Sequence, residues 1–164
     1  MTDFTLEFLR KVLFYDQLTG DFTWKVALAN RIKIGQKAGR IHKNGYWMIG
    51  IKNKKYYNHI LAWYYMKGEW PNKQIDHKNT IKNDNHWDNL RLATIGQNKA
   101  NQSKYKNNTT GYKNVFLDKQ SNKYYSRLQK DGVIIHFGRF LTKEEASEEY
   151  TKKSIEINGE FARI

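Results

Sequence analysis

A chain of 164 residues and 19.6 kDa has room for one ordinary domain or two small ones, and its 39% apolar and 15% aromatic content is enough to pack a core. With no cysteine, disulfide frameworks, zinc ribbons and thiol nucleophiles are excluded, so any metal must sit on oxygen or imidazole nitrogen. A net charge of +13 from 29 Lys and Arg against 16 Asp and Glu, with a pI near 9.8 and a mean hydropathy of −0.86, points away from a membrane span and towards a polyanion such as nucleic acid.

The start Met1-Thr2-Asp3-Phe4-Thr5-Leu6 lacks the basic-then-apolar order of a signal peptide, so a soluble, cytoplasmic protein is expected. Residues 4 to 15 place Phe4, Leu6, Phe8, Leu9, Val12, Leu13 and Tyr15 at spacings that predict a short amphipathic helix. Residues 20 to 25 read as a turn and strand. Residues 45 to 51 and 53 to 57 read as a hairpin. Asn58 then suits the N-cap of a helix from His59 to Lys67, with Gly68 as its stop and the sole proline, Pro71, beyond it. The basic residues concentrate here. Ten Lys or Arg and no acid lie between Asp21 and Glu69, interleaved with glycine, asparagine and aromatics rather than set in a helical stripe.

After Pro71 the pattern becomes strand (74–77), polar loop (78–88), strand (90–93) and helix, with Thr94 and Gln97 forming a capping box at the helix start. From Lys99 to Thr110 the composition turns to Asn, Lys, Gln, Ser and Thr, which predicts a solvated linker. The expected division is a domain at 1–103 with a basic N-terminal β region, a linker at 104–110, and a second domain at 111–164. Three short strands follow at 112–117, 123–129 and 133–140, with a turn at Lys130-Asp131-Gly132. A closing helix opens on a second capping box, Thr142 with Glu145.

Chemistry concentrates in Ile75-Asp76-His77, Asp88-Asn89-Leu90-Arg91 and Gln97-Asn98. An acid beside a histidine at a strand end, with an asparagine on the next helix, can bring carboxylate, imidazole and amide oxygen together. Hard oxygens favour magnesium, manganese or calcium, and an imidazole beside them can deprotonate water. Taken alone, an Asp-His pair more often caps a turn and fills a core.

The ordered set His59-Ile60-Leu61-Ala62-Trp63, Gly68-Glu69-Trp70-Pro71, Ile75-Asp76-His77, Asn89-Leu90-Arg91-Leu92-Ala93-Thr94 and Gln97-Asn98 resembles the HNH endonuclease family, particularly phage homing endonucleases. The resemblance implies an α+β fold with a ββα-metal (His-Me finger) nuclease domain. In it Asp76 and Asn98 would hold one divalent cation, Mg2+ or Mn2+, His77 would be the general base, and Asn89 would pin the loop between the strands. Asn98 stands where the family name has its second histidine, which favours magnesium or manganese over softer metals. His86, in the intervening loop, is the second-choice ligand.

The last segment carries Gly111-Tyr112-Lys113-Asn114-Val115, Lys123-Tyr124-Tyr125-Ser126-Arg127-Leu128, His136-Phe137-Gly138-Arg139-Phe140 and Asn158-Gly159-Glu160-Phe161-Ala162. It resembles the ethylene-response-factor type of DNA-binding domain, which implies a small three-stranded antiparallel sheet packed on one helix and laid in the major groove. Strand alternation puts Tyr124, Ser126 and Leu128 on one face and Tyr125, Arg127 and Gln129 on the other. Asn114 and an arginine-poor first strand depart from that family, so its base preferences do not carry over.

The expected DNA contacts are Arg40, Lys43, Lys52, Lys54, Lys55, Arg91, Lys113, Lys123, Tyr125, Arg127 and Arg139. The leading expectation is a monomeric, homing-type endonuclease acting on double-stranded DNA, with no membrane and no small-molecule cofactor. A catalytically silent DNA-binding regulator is the alternative, and charge alone also admits an RNA-directed or structure-specific nuclease.

Overall fold

In the computed structural model, which describes residues 4–130 and 132–164, helix α1 (Leu6–Val12) is opened by Thr5, whose hydroxyl accepts the Phe8 N–H. The start motif at residues 1–3 and Asp131 of the expected turn lie outside the described residues. The helix ends sooner than the sequence pattern predicts. Leu13 takes extended backbone and begins strand β1 (Leu13–Tyr15), which pairs antiparallel with β2 (Phe22–Trp24). Leu13 and Tyr15 are buried and Phe14 exposed, a period of two that a helix cannot provide.

A second sheet, antiparallel in the order β3-β4-β5, is made by β3 (Arg40–Ile41), β4 (Trp47–Ile51) and β5 (Lys54–Tyr57). The β4–β5 turn is the two-residue kind, with Lys52 and Asn53 both left-handed (φ 48° and 64°), which matches the twist of the flanking strands. Ile49 and Ile51 face the core and Gly50 faces out. Helix α2 (Asn58–Lys67) follows directly and stops at Gly68, whose left-handed backbone (φ 78°) returns its N–H to Tyr64. Asn58 is not the cap. Tyr57 holds that position, and the Asn58 amide instead donates across the fold to the Gly20 carbonyl at 2.8 Å. Leu9, Val12, Leu13, Phe22, Ile49, Ile51, Leu61 and Ala62 form the centre of the core. Strands β6 (Gln74–His77) and β7 (Leu90–Ala93) pair as a third, two-stranded sheet, joined by a loop that ends in a 3-10 turn at Trp87–Asn89.

The chain divides into two compact units, Met1–Leu92 and Ala93–Ile164. The division therefore falls about ten residues before the expected one, and helix α3 (Ile95–Asn101) groups with the C-terminal unit. There it packs against helix α4 (Lys143–Asn158) and the 3-10 turn Gly159–Phe161. Both helices open on the expected capping boxes.

Residues 104–110 are not a solvated linker throughout. Thr110 is buried, with its hydroxyl donating to the Val115 carbonyl at 2.9 Å, and the Asn108 side chain bonds both Gly111 N–H and Tyr112 O at 2.7 Å. Strands β8 (Val115–Asp118), β9 (Lys123–Lys130) and β10 (Val133–Phe140) form an antiparallel sheet with β9 in the middle, and α4 lies against all three. Val115, Ser126, Leu128, Ala146 and Tyr150 are buried. The fold is α+β. No helix among the described residues is long and apolar enough to cross a membrane.

Candidate active site

Strand β6 delivers Ile75, Asp76 and His77 to the interior, all three buried. The chain must then reverse, and Asn89 governs the reversal. Its Oδ1 accepts the Asn79 N–H at 3.0 Å, while its Nδ2 donates to the Asn79 side chain at 3.0 Å and to the Asp84 carbonyl at 2.7 Å. Backbone bonds from Lys78 N–H to Asn89 O and from Thr80 N–H to His77 O close the base of the loop. Within it Asp84 takes Asn79 Nδ2 at 2.5 Å and His86 Nδ1 at 2.6 Å. Burial raises the Asp84 carboxyl, but the His86 and Asn79 hydrogen bonds outweigh it and hold the group below its usual range. His86 is thus tied into the loop through Asp84.

Asn85, which the sequence does not single out, reaches His77 from the tip of that loop. Its Nδ2 donates to the Asn83 carbonyl, so its Oδ1 faces His77 Nε2 at 3.1 Å. Nε2 then carries the hydrogen and Nδ1 the lone pair. Burial pushes the His77 pKa below the ordinary imidazole value, against the opposing pull of Asn85, Asp76 and Asp84. The ring is therefore neutral near pH 7.

Asn85 is itself clamped. The Tyr15 hydroxyl donates to its carbonyl at 2.7 Å, and Gly20 approaches so closely that a Cβ there would stand 2.2 Å from the Asn85 carbonyl carbon. Only glycine fits that approach, and its φ of 75° requires glycine as well.

Beside His77, Asp76 Oδ2 accepts Arg91 Nε at 2.9 Å, with both side chains almost fully buried. Arg91 therefore serves a buried carboxylate through its Nε. On the other flank His59 meets the His77 ring at 5.1 Å, and Tyr46 lies 6.0 Å away. The signal for Asn85 is thin, an asparagine in an asparagine-rich loop, whereas His59 is marked by its place at the head of the HNH-like set.

Among the described residues no group of three His, Asp or Glu is placed to hold a metal ion. Asn98 stands on α3, in the C-terminal unit.

Arg40, Lys43, Lys52, Lys54 and Lys55 are exposed on the β3-β4-β5 sheet and its turns, Lys52 with its ammonium 4.4 Å from the Phe8 ring centre. Lys123, Tyr125 and Arg127 share the face of β9 opposite Ser126 and Leu128, and Arg139 pairs with Tyr125 in register. The Arg127 guanidinium lies 4.8 Å from the Phe116 ring centre, and Arg139 meets Asp118 at 3.3 Å. Lys113 departs from expectation. Its ammonium donates to the carbonyls of Ala100 at 2.5 Å and Arg163 at 3.2 Å, and burial, helped by the Arg163 charge, pushes its pKa down to about 8. It joins the ends of its own unit and leaves no extended cation for a phosphate.

Residues 56–100 match the family model of the HNH endonucleases. That stretch spans α2, β6, the Asn89 loop, β7 and nearly all of α3, and it contains His59, Asp76, His77, Asn89 and Asn98. The HNH match supports a nuclease with DNA as substrate. Searches of curated proteins and of solved structures return no match.

Proposed function

We propose that the chain is a metal-dependent, homing-type DNA endonuclease in which His77 is the general base. The observation that carries this reading is the buried Asp76-His77 pair at the end of β6, inside the HNH segment, with His77 neutral and its tautomer set by Asn85. His77 Nδ1 takes a proton from the attacking water, the water oxygen bonds to phosphorus, and the bond from phosphorus to the 3′ oxygen breaks. Asn85 holds the ring while it does so, and Asn89 holds the loop that carries Asn85.

Asp76 and Asn98 are the proposed ligands in a ββα-metal site. One carboxylate and one amide oxygen suit Mg2+ or Mn2+, which keep several waters and share substrate phosphate. The Arg91 bond holds Asp76 in one orientation for that task. A bound ion supplies charge neutralisation at the scissile phosphate and the departing 3′ oxygen.

Arg40, Lys43, Lys52, Lys54 and Lys55 contact the duplex backbone. The outer face of β9, with Lys123, Tyr125, Arg127 and Arg139 of β10, forms the second contact, in the manner of the ethylene-response-factor type. Incubating supercoiled plasmid with the protein and magnesium tests the reading: conversion to open-circular or linear DNA is expected, blocked by EDTA and by His77→Ala. Binding without conversion identifies the silent regulator instead.

A further inference from the structure

His59 is the second residue of α2 and is only 7% exposed, yet its Nδ1 has no hydrogen-bond partner. With no bond at that nitrogen, the ring acts on its neighbours through its flat shape. Its surroundings are aromatic on three sides. The ring stacks on Tyr57 at 5.4 Å and 12°, tilts against Tyr46 at 5.2 Å and 54°, and stands almost perpendicular to His77 at 5.1 Å and 81°.

Those contacts complement the Asn85 bond. The hydrogen bond at Nε2 fixes where that nitrogen points, and a rigid ring packed at right angles constrains the plane of the His77 ring as well. Tyr46, held by the turn in which Asn44 Oδ1 accepts its N–H and carrying the Lys82 ammonium 5.1 Å over its ring, closes the same side. The wall is itself braced, because Tyr57 receives an Asn44 amide bond at 3.1 Å.

We infer that His59 is a positioning residue: its ring, braced by Tyr57 and Tyr46, sets the plane of His77 so that Nδ1 addresses the attacking water in line. This inference rests on His77 being the base proposed above. It places the selection of ring plane on α2 and the selection of ring direction on the β6–β7 loop, two independent supports for one imidazole. Burial, reinforced by the neighbouring His77, keeps His59 uncharged, its pKa pushed down to about 3, so it meets His77 as a neutral ring.

The test is single-turnover cleavage of plasmid DNA with magnesium by the full chain, beside DNA affinity measured in EDTA. His59→Ala is expected to cut about 10²-fold more slowly at saturation, with DNA affinity within about threefold of the parent. His59→Phe, which keeps a flat ring, is expected to recover to within about threefold of the parent rate. A parent-like rate in folded His59→Ala overturns the inference, as does a folded His59→Phe no faster than His59→Ala, since the second result assigns the role to the nitrogen. If His59→Ala does not fold, His59→Leu replaces it, and equal rates for the leucine and phenylalanine variants overturn the inference. His77→Ala run in parallel separates the two readings: if it still cuts, the proposed base is wrong, whereas an inactive His77→Ala beside a parent-like His59→Ala removes only the role of His59.

Discussion

Asn85 Oδ1 stands 3.1 Å from His77 Nε2, both residues are buried, and the other end of the Asn85 amide is committed to the Asn83 carbonyl. The amide therefore cannot turn without breaking a second bond, and the tautomer of His77 is determined by a loop residue. Asn85→Ala should lower cleavage by ~10–100-fold, the usual cost of losing such an outer partner, while DNA affinity stays near that of the parent. Comparison of saturating rates with binding isotherms checks this. A loss confined to affinity would count against it.

Asp76 and Asn98 should respond differently to added metal. Asp76→Ala removes the charged ligand and leaves the buried Arg91 guanidinium without its carboxylate, so both activity and thermal stability should fall, the latter by ~3–5 kcal/mol. Asn98→Ala removes a neutral ligand, and higher magnesium or manganese should restore part of its activity. Metal titrations of both variants, with melting curves, measure the contrast. Full-rate cutting by Asn98→Ala at low magnesium would remove it from the ligand set.

Acid should destabilise the N-terminal unit through His59. An unfolded histidine takes up its proton near pH 6.5, whereas folded His59 does so only at about pH 3. Between these values the unfolded chain binds the extra proton, so stability falls as pH falls, by up to ~1.4 kcal/mol per unit. His59→Phe should flatten the decline between pH 6.5 and 3, leaving the part due to His77, whose pKa is also lowered by burial. Thermal melts across that range decide it.

Selective reading of DNA should depend on Arg127 and not on Lys113. Arg127 lies on the outer face of β9, where a bidentate pair with guanine is worth ~1–3 kcal/mol of discrimination. Arg127→Ala should relax preference at one position with little change in salt dependence. Lys123→Ala should weaken all sequences alike and lower the salt slope by about 1. Lys113→Ala should leave that slope unchanged, because its ammonium is spent on two carbonyls. Selection from random DNA and salt titrations provide the measurements.

The elements that could be read from the sequence are those with local signals. The β4–β5 hairpin, α2 with its glycine stop, and both capping boxes all follow from residues within one or two turns of each other. Asp76, His77 and Asn89 were legible as a cluster because they crowd two strand ends.

The rest depends on partners distant in sequence. Leu13 leaves the helix because β2 is there to pair with it, Asn58 forsakes the cap for Gly20, and Lys113 turns inward because Ala100 and Arg163 offer carbonyls. Asn85 carries no sequence signature, since its significance lies in what stands beside it, and His59 is legible only as the first residue of the HNH-like set. Residues 104–110 looked like a linker because hydrogen bonds from Thr110 and Asn108, not apolar side chains, fold them.

The clamp on Asn85 has a consequence for modularity. The loop that orients the histidine leans on Tyr15 and Gly20, and Gly20 is in turn held by Asn58, so the stretch from 56 to 100 borrows its alignment from chain laid down some forty residues earlier. Excised at the family borders, that stretch would keep every residue of the proposed chemistry and lose the scaffold that aims it. A transplantable cassette cut from this protein must therefore begin upstream of Tyr15.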